Sequence, residues 1–229
     1  MRPEVIHEAF GAEARQLSRV LAGLDDAAFA RPTGCAPWTV AELAYHVRMT
    51  MGRLPGMLAA PEPAGSDLVS AAGYYRADQR FSKATNEGRI ESAQRGAAAL
   101  AGAAARARDV EVARRQAELA LRDAPPGRVV TTRHGDRMLL TEFLRTRVLE
   151  LAVHGLDLAA ALDREPWVTV QAAEASEDLL LPPAAAGRLR AETGWDRVGL
   201  IARLSGRRPV TPAETELIQS AQVGRLALG

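Results

Sequence analysis

The sequence has a single cysteine, Cys35, and a single lysine, Lys83, among 229 residues, and its aromatic residues amount to only 4%. One cysteine excludes a disulfide within the chain and any metal site built from several cysteines. It is also typical of a protein kept in a reducing compartment. Because 28 of the 29 basic residues are arginine and alanine is abundant, the composition indicates a GC-rich genome rather than a function.

Long apolar runs and an excess of one charge are missing as well. The first ten residues carry Arg2, Glu4, His7 and Glu8, so they lack the apolar core of a signal peptide, and no run reaches the roughly 18 apolar residues of a membrane span. A net charge of +1 with 47% hydrophobic residues is ordinary for a globular protein. We therefore expect a soluble cytoplasmic protein, a monomer or homodimer, with no membrane or nucleic-acid partner.

Helix-forming residues dominate long stretches without proline, and strand signals are scarce, which predicts a mostly α fold. The clearest helix start is Thr39 with Glu42, which form a capping box. A short strand or extended arm is predicted from Arg128 to Thr132. The expected main helices run from Pro3 to about Leu24, from Thr39 towards Leu58 with a kink at Pro55, from about Ser82 to Arg122 with a break near Gly102, and from Leu140 to Leu162.

Proline positions suggest the division of the chain. We expect residues 1–163 to form a four-helix bundle with a long crossover. Residues 164–229 are expected to form a small carboxy-terminal α or α+β extension packed on the bundle. Helices are predicted near Gln171–Leu181 and Trp195–Leu204, with Pro182-Pro183 acting as a breaker between them.

The fourth helix carries a narrow polar stripe on an otherwise apolar surface. The polar residues within about a third of its circumference are Thr146, Arg147, Glu150, His154 and Asp157. A helix that is apolar nearly all round is normally buried, so the stripe should face the bundle interior, where charges need partners or a metal. Glu150 and His154, at i and i+4, could bind one cation, and Asp157 could bind a ligand or orient it from behind.

A third ligand has to come from another helix, and His46 is the best candidate. It lies two turns into the capped second helix, whereas His7 is near the amino terminus and His134 is beside a turn. Two imidazoles and one carboxylate suit Zn²⁺ and leave a position open for water or substrate. The alternative is that Glu150 and His154 are an ordinary surface pair.

Other residues allow two interpretations each. Cys35 could be a nucleophile, but a loop or packing cysteine is favoured because no histidine is adjacent in sequence. Trp38 precedes the helix cap and is expected to pack there, with lining of a pocket mouth as the alternative. Arg147 either binds a substrate carboxylate or neutralises Glu150.

Two motifs carry a resemblance to a known family. They read Pro37-Trp38-Thr39-Val40-x-Glu42-Leu43-x-x-His46-Val47 and Arg147-x-x-Glu150-x-x-x-His154-Gly155-x-Asp157-Leu158. Together they resemble the mycothiol-dependent maleylpyruvate isomerase family of the DinB-like superfamily. The resemblance covers residues 1 to about 163 and extends more loosely to residues 195–209.

This resemblance implies a DinB-like four-helix bundle with a divalent metal, usually zinc, on His46, Glu150 and His154. It also implies mycothiol, the low-molecular-weight thiol of actinobacteria, as cosubstrate. The characterised isomerase is helped by an arginine from its second domain. The candidates for that role in the tail of this chain are Arg197, Arg203, Arg207 and Arg208.

The leading hypothesis is a zinc-dependent thiol transferase or maleylpyruvate isomerase-like isomerase. Its thiol would act as nucleophile in S-transfer to, or cis-trans isomerisation of, a small electrophile, with Arg147 and Asp157 as catalytic residues. The alternative is a noncatalytic metal- or ligand-binding helical bundle. A DNA-binding regulator would need a basic recognition surface, and the charge balance argues against one.

Overall fold

The structure is a computed structural model of the chain and describes residues 2–76, 78, 82–125 and 127–221. The last eight residues of the predicted extension lie outside the described residues. The helices run over Pro3–Ala22 (α1), Asp26–Phe29 (α2), Val40–Gly52 (α3), Leu54–Ala59 (α4), Ala71–Tyr74 (α5), Lys83–Ala98 (α6), Gly102–Arg122 (α7), Leu140–Ala161 (α8), Val170–Leu180 (α9), Pro183–Thr193 (α10), Arg197–Leu204 (α11) and Pro212–Ser220 (α12), and the strands over Val129–Thr131 (β1) and Arg137–Leu139 (β2).

The long helices α1, α3, α7 and α8 form a four-helix bundle. Helix α1 packs against α7 and α8, and α3 packs against the same two helices from the other side. The crossover from α3 to α7 runs through α4, α5 and α6, and α6 lies along α3. The large side chains of Phe10, Leu17, Leu43, Leu144 and Leu149 are fully buried between these helices. The mostly α, four-helix architecture predicted from the sequence is confirmed.

The capping box sets the start of α3 and, with it, the position of His46. Thr39 Oγ1 accepts a hydrogen bond from the Glu42 backbone N–H, and Glu42 Oε2 accepts one from the Thr39 backbone N–H at 2.6 Å. The helix expected to continue with a kink towards Leu58 is instead two helices, because α3 ends at Gly52 and α4 begins with Pro55 in its first turn. Proline is tolerated there, since the first N–H groups of a helix have no partner within the helix.

A β-hairpin joins α7 to α8. Strands β1 and β2 are antiparallel, with Val130 opposite Met138, and both side chains are buried. The sequence predicted only the first arm of this hairpin. The turn between the strands carries Arg133 and His134.

The tail is joined to the bundle through α9, which packs against α1, α8 and α11. The buried carboxylate of Glu13 in α1 accepts hydrogen bonds from the Thr169 backbone N–H at 2.8 Å and from its hydroxyl at 2.7 Å. Helices α10 and α12 were missed because each has a proline in its first turn, and Pro182-Pro183 had been interpreted only as a breaker. The division of the chain at residue 163 stays a prediction.

Within the described part of the chain, each helix falls short of the length and apolar character that crossing a membrane requires.

Candidate metal centre

Three side chains from two neighbouring helices converge inside the bundle. His46 comes from α3, and Glu150 and His154 come from consecutive turns of α8. One donor atom from each of the three lies within 4.8 Å of the other two. The Glu150 Oε2 atom is 3.5 Å from His154 Nε2 and 3.9 Å from His46 Nε2. The structure thus brings together the residues that the sequence predicts to share one cation.

Asp157 fixes the ring of His154, one turn further along α8. Its Oδ2 atom lies 3.0 Å from His154 Nδ1, so that the opposite nitrogen, Nε2, faces Glu150. Histidines that bind metals commonly donate their second ring N–H to a carboxylate in this way, which fixes the tautomer. Asp157 therefore lies behind the candidate ligand, and its assignment as a catalytic residue stays a prediction.

Trp38 holds the ring of His46. The two rings stack with centroids 4.7 Å apart, and the ring of His154 stands at right angles to that of His46 at 5.1 Å. His46 Nδ1 is buried and has no hydrogen-bond partner among the residues that the structure describes. Trp38 therefore lines the site as well as preceding the helix cap, and both interpretations of this residue apply.

The two oxygens of the Glu150 carboxylate contact different partners. Its Oε1 atom lies 3.4 Å from the Tyr75 hydroxyl, which donates to the Thr146 carbonyl, and 4.0 Å from Arg147 Nη2. These contacts turn Oε2 towards the two imidazoles. The contact with Tyr75 has no signal in the sequence, because Tyr75 lies 75 residues before Glu150.

The electrostatics of the three side chains favour a cation between them. Burial lowers the pKa of His46 to about 4, so its imidazole is neutral. Burial raises the pKa of Glu150, but its contacts with His154 and His46 and the charge of Arg147 bring it well below its usual value. Burial lowers the pKa of His154, yet its contacts with Asp157, Cys35 and Glu150 raise it well above the usual value, so the position beside Glu150 favours a positive charge, either a proton or a bound metal.

These residues fit a zinc ion. The Nε2 atoms of His46 and His154 and the Oε2 atom of Glu150 make a set of two imidazoles and one carboxylate, the donors of many catalytic zinc sites. All three side chains line a cavity of about 1040 Å³. That volume is at the upper end for ligand pockets and leaves room for more than one small molecule beside the ion.

A second network joins the tail and a loop to the same site through Asp157. The Cys35 thiol donates to Asp157 Oδ2 at 3.1 Å, and the Arg207 guanidinium donates to both carboxylate oxygens at 3.1 and 3.2 Å. Burial raises the pKa of Asp157, while the hydrogen bonds from His154 and Arg207 lower it to about 2. Cys35, His154 and Asp157 form a further group of donor atoms within 4.8 Å of one another.

Cys35 was not assigned to the site from the sequence, and Arg207 was only one of four candidate tail arginines. They lie 122 and 50 residues from Asp157 along the chain, and no spacing links them to it. The interpretation of Cys35 as a packing residue missed its contact with the site. Among the other tail arginines, Arg208 lines the cavity, whereas Arg197 pairs with Glu177 and Arg203 stacks over Trp195.

Arg147 lines the cavity from α8 and is itself buried. Its guanidinium carbon lies 5.3 Å from the ring centre of Tyr74 and 4.9 Å from that of Phe143. Its Nε atom donates to the Thr146 hydroxyl at 3.0 Å. At 4.0 Å its contact with Glu150 is too long for a hydrogen bond, so it can bind an anion in the cavity as well as balance Glu150.

Residues 10–159 match the family described as the mycothiol maleylpyruvate isomerase N-terminal domain. The chain belongs to this family. The match runs through the four bundle helices and includes His46, Glu150, His154 and Asp157, whereas Arg207 lies beyond its end. It confirms the resemblance carried by the two sequence motifs and the DinB-like character of the bundle. No curated protein and no solved structure matches the chain.

Proposed function

We propose that this protein is a metal-dependent enzyme that uses a low-molecular-weight thiol as its nucleophile. The metal is zinc or another divalent ion on His46, Glu150 and His154, and the thiol is mycothiol. The observation that carries the proposal is the convergence of these three donors on one wall of a large cavity, within the segment that matches the family.

The reaction needs a thiolate at a pH where a free thiol, with a pKa of about 8.5, is mostly protonated. His46, Glu150 and His154 would hold a zinc ion with two neutral imidazoles and one carboxylate, and the net positive charge of such an ion would favour the thiolate form of a thiol in the cavity. The thiolate sulfur then attacks an electrophilic carbon of the second substrate.

In attack on an activated carbon–carbon double bond, the C–S bond forms as the π electron pair moves onto the activating group. Transfer of the proton that the thiol released to the neighbouring carbon gives the conjugate. Rotation about the resulting single bond and expulsion of the thiolate, which re-forms the double bond, gives cis-trans isomerisation.

The residues around the three ligands have separate roles in this proposal. Asp157 keeps the proton of His154 on Nδ1 and its Nε2 turned to the centre. Arg207 holds Asp157 in place from the tail, and Trp38 holds His46. Arg147 binds an anionic part of the electrophile. We favour conjugation, because it requires no further residue to control rotation of the adduct.

The test combines zinc content with consumption of mycothiol by the full-length protein in the presence of activated electrophiles. Wild-type protein should hold about one zinc and consume the thiol, and His154→Ala should lose both while its helical circular dichroism persists. Cys35→Ser should keep zinc and turnover, since a serine hydroxyl can donate to Asp157 as the thiol does.

Two results would contradict the proposal. Loss of turnover in Cys35→Ser with zinc still bound would mean that the nucleophile belongs to the protein. Zinc binding without thiol consumption for any electrophile would favour a noncatalytic metal-binding bundle.

A further inference from the structure

Four arginines from four different segments line the cavity. Arg53 lies between α3 and α4, Arg89 is in α6, Arg133 is in the hairpin turn and Arg147 is in α8. We call these four residues the arginine cluster. The cluster adjoins the candidate metal centre, since Arg147 Nη2 lies 4.0 Å from Glu150.

The positive charges of the cluster repel one another. Burial lowers the pKa of Arg53, and the charges of Arg133, Arg147 and Arg89 lower it further. Burial also lowers the pKa of Arg89, which Glu150 raises and Arg133 and Arg147 lower again. An anion bound among these side chains would relieve the repulsion.

The carboxylates that line the cavity balance this charge only in part. Among the residues that the structure describes, they belong to Glu150, Asp157 and Glu165. Glu150 faces the two histidines of the metal centre, and Asp157 is held by Arg207 in a two-point contact. The described lining of the cavity therefore carries more positive than negative side chains, and the arginine cluster contributes most of that excess.

A buried donor in the cluster lacks a partner. The side chain of Arg147 is 8% exposed, and its Nη2 atom has no hydrogen-bond partner within the described part of the chain. Buried donors are nearly always satisfied in folded proteins, so an unsatisfied one in a cavity wall points to a ligand acceptor.

We propose that the arginine cluster is the subsite for a phosphoryl group carried by the electrophile. This inference rests on the proposed function and names its substrate class as a small phosphate ester or phosphonate. A carboxylate offers two oxygens in one plane, which a single guanidinium fork can occupy. A phosphoryl group offers three terminal oxygens and a charge of about −1.5 to −2, which matches several guanidinium groups lining one cavity better.

The assignment also orients the two substrates. The electrophile binds on the side of α6 and the hairpin, with its anionic group among the arginines. The side of the cavity near Cys35 and Arg207 is left to the thiol. Both reactants then meet at the centre formed by His46, Glu150 and His154.

Calorimetric binding of phenyl phosphate to zinc-loaded full-length protein tests the subsite without using any turnover. Arg53→Gln and Arg133→Gln should each weaken binding by about tenfold or more, because each removes a charged donor. The matched control is Arg164→Gln, at an exposed residue that lines the same cavity outside the cluster, and its effect should stay below about threefold. Arg133 lies on an exposed turn, so its variant keeps the test valid if Arg53→Gln does not fold.

Benzoate is the matched carboxylate probe, and it should bind about tenfold more weakly than phenyl phosphate. Equal or tighter benzoate binding through the same arginines would overturn the phosphoryl assignment. If phenyl phosphate binding is unchanged in Arg53→Gln and Arg133→Gln but is lost when the metal is removed, the anion binds to the metal. This result would overturn the phosphoryl assignment as well. Because no thiol is present, failure of this test is distinct from failure of the thiol chemistry, which zinc content and mycothiol consumption report.

Discussion

Replacing Asp157 by asparagine tests how much the orientation of His154 contributes to zinc binding, because the substitution changes the residue behind this candidate ligand and leaves the ligand in place. Asp157 is 7% exposed and accepts hydrogen bonds from His154 Nδ1 and from two nitrogens of Arg207. Asparagine keeps the shape but removes the charge and replaces one acceptor oxygen with an NH₂ donor. Either His154 or Arg207 must then face that donor.

The expected loss can be worked out from these contacts. Residues that orient a metal ligand typically contribute about 10- to 100-fold to metal affinity, which corresponds to about 1.4–2.8 kcal/mol. Hydrogen bonds to a charged group contribute about 1.5–3 kcal/mol to stability, so Asp157→Asn should also unfold more readily, by about 2 kcal/mol. Competition with a zinc chelator measures the first effect, and urea unfolding of the metal-free protein measures the second.

Arg207→Gln is the matched control, because it breaks the same ion pair but leaves the Asp157 carboxylate on His154. It should lower stability to a similar degree and weaken zinc binding less than Asp157→Asn does, because the carboxylate on His154 remains. If folded Asp157→Asn binds zinc within about twofold of wild type, Asp157 does not position the ligand and the reasoning fails.

Three further substitutions test other parts of the account. Burial raises the pKa of Glu13 in the folded state although hydrogen bonds from Thr169 lower it, so wild type loses stability as pH rises through that raised value. Glu13→Gln does not titrate there and should gain stability relative to wild type as the pH rises above about 4.5 in urea unfolding, and a difference independent of pH would refute this. Gly96→Ala places a Cβ 2.0 Å from the Tyr45 ring and should cost about 1–3 kcal/mol, whereas Gly88→Ala in the same helix meets no atom within 4 Å and should stabilise by about 0.5–1 kcal/mol. Equal unfolding midpoints for these two variants would contradict the packing of α6 on α3.

Features that depend on a short stretch of residues could be predicted from the sequence. The capping box at Thr39 predicted the start of α3, and the polar stripe of α8 follows from helical periodicity alone. Because α8 is apolar on its remaining surface, burial of Glu150 and His154 could be expected before any contact was known. The choice of His46 as their partner followed from its place on a capped, amphipathic helix.

The remaining features depend on contacts between distant segments. Arg207 and Cys35 reach Asp157 only because α11 packs on α9 and α8, and because the loop before α3 lies beside α8. The arginine cluster combines a helix junction, a hairpin turn and two helices, so no window of sequence contains it. Helices α10 and α12 were missed for a different reason, since a proline that interrupts one helix can equally begin another.

The most direct test of the central claim is zinc K-edge X-ray absorption of the zinc-loaded protein, recorded with and without mycothiol. Without the thiol, the account predicts nitrogen and oxygen neighbours at about 2.0–2.2 Å with the signature of two imidazoles. With the thiol, one sulfur neighbour should appear at about 2.3 Å while both imidazoles remain. A zinc shell that lacks the two imidazoles, or that gains no sulfur at saturating mycothiol, would contradict the account.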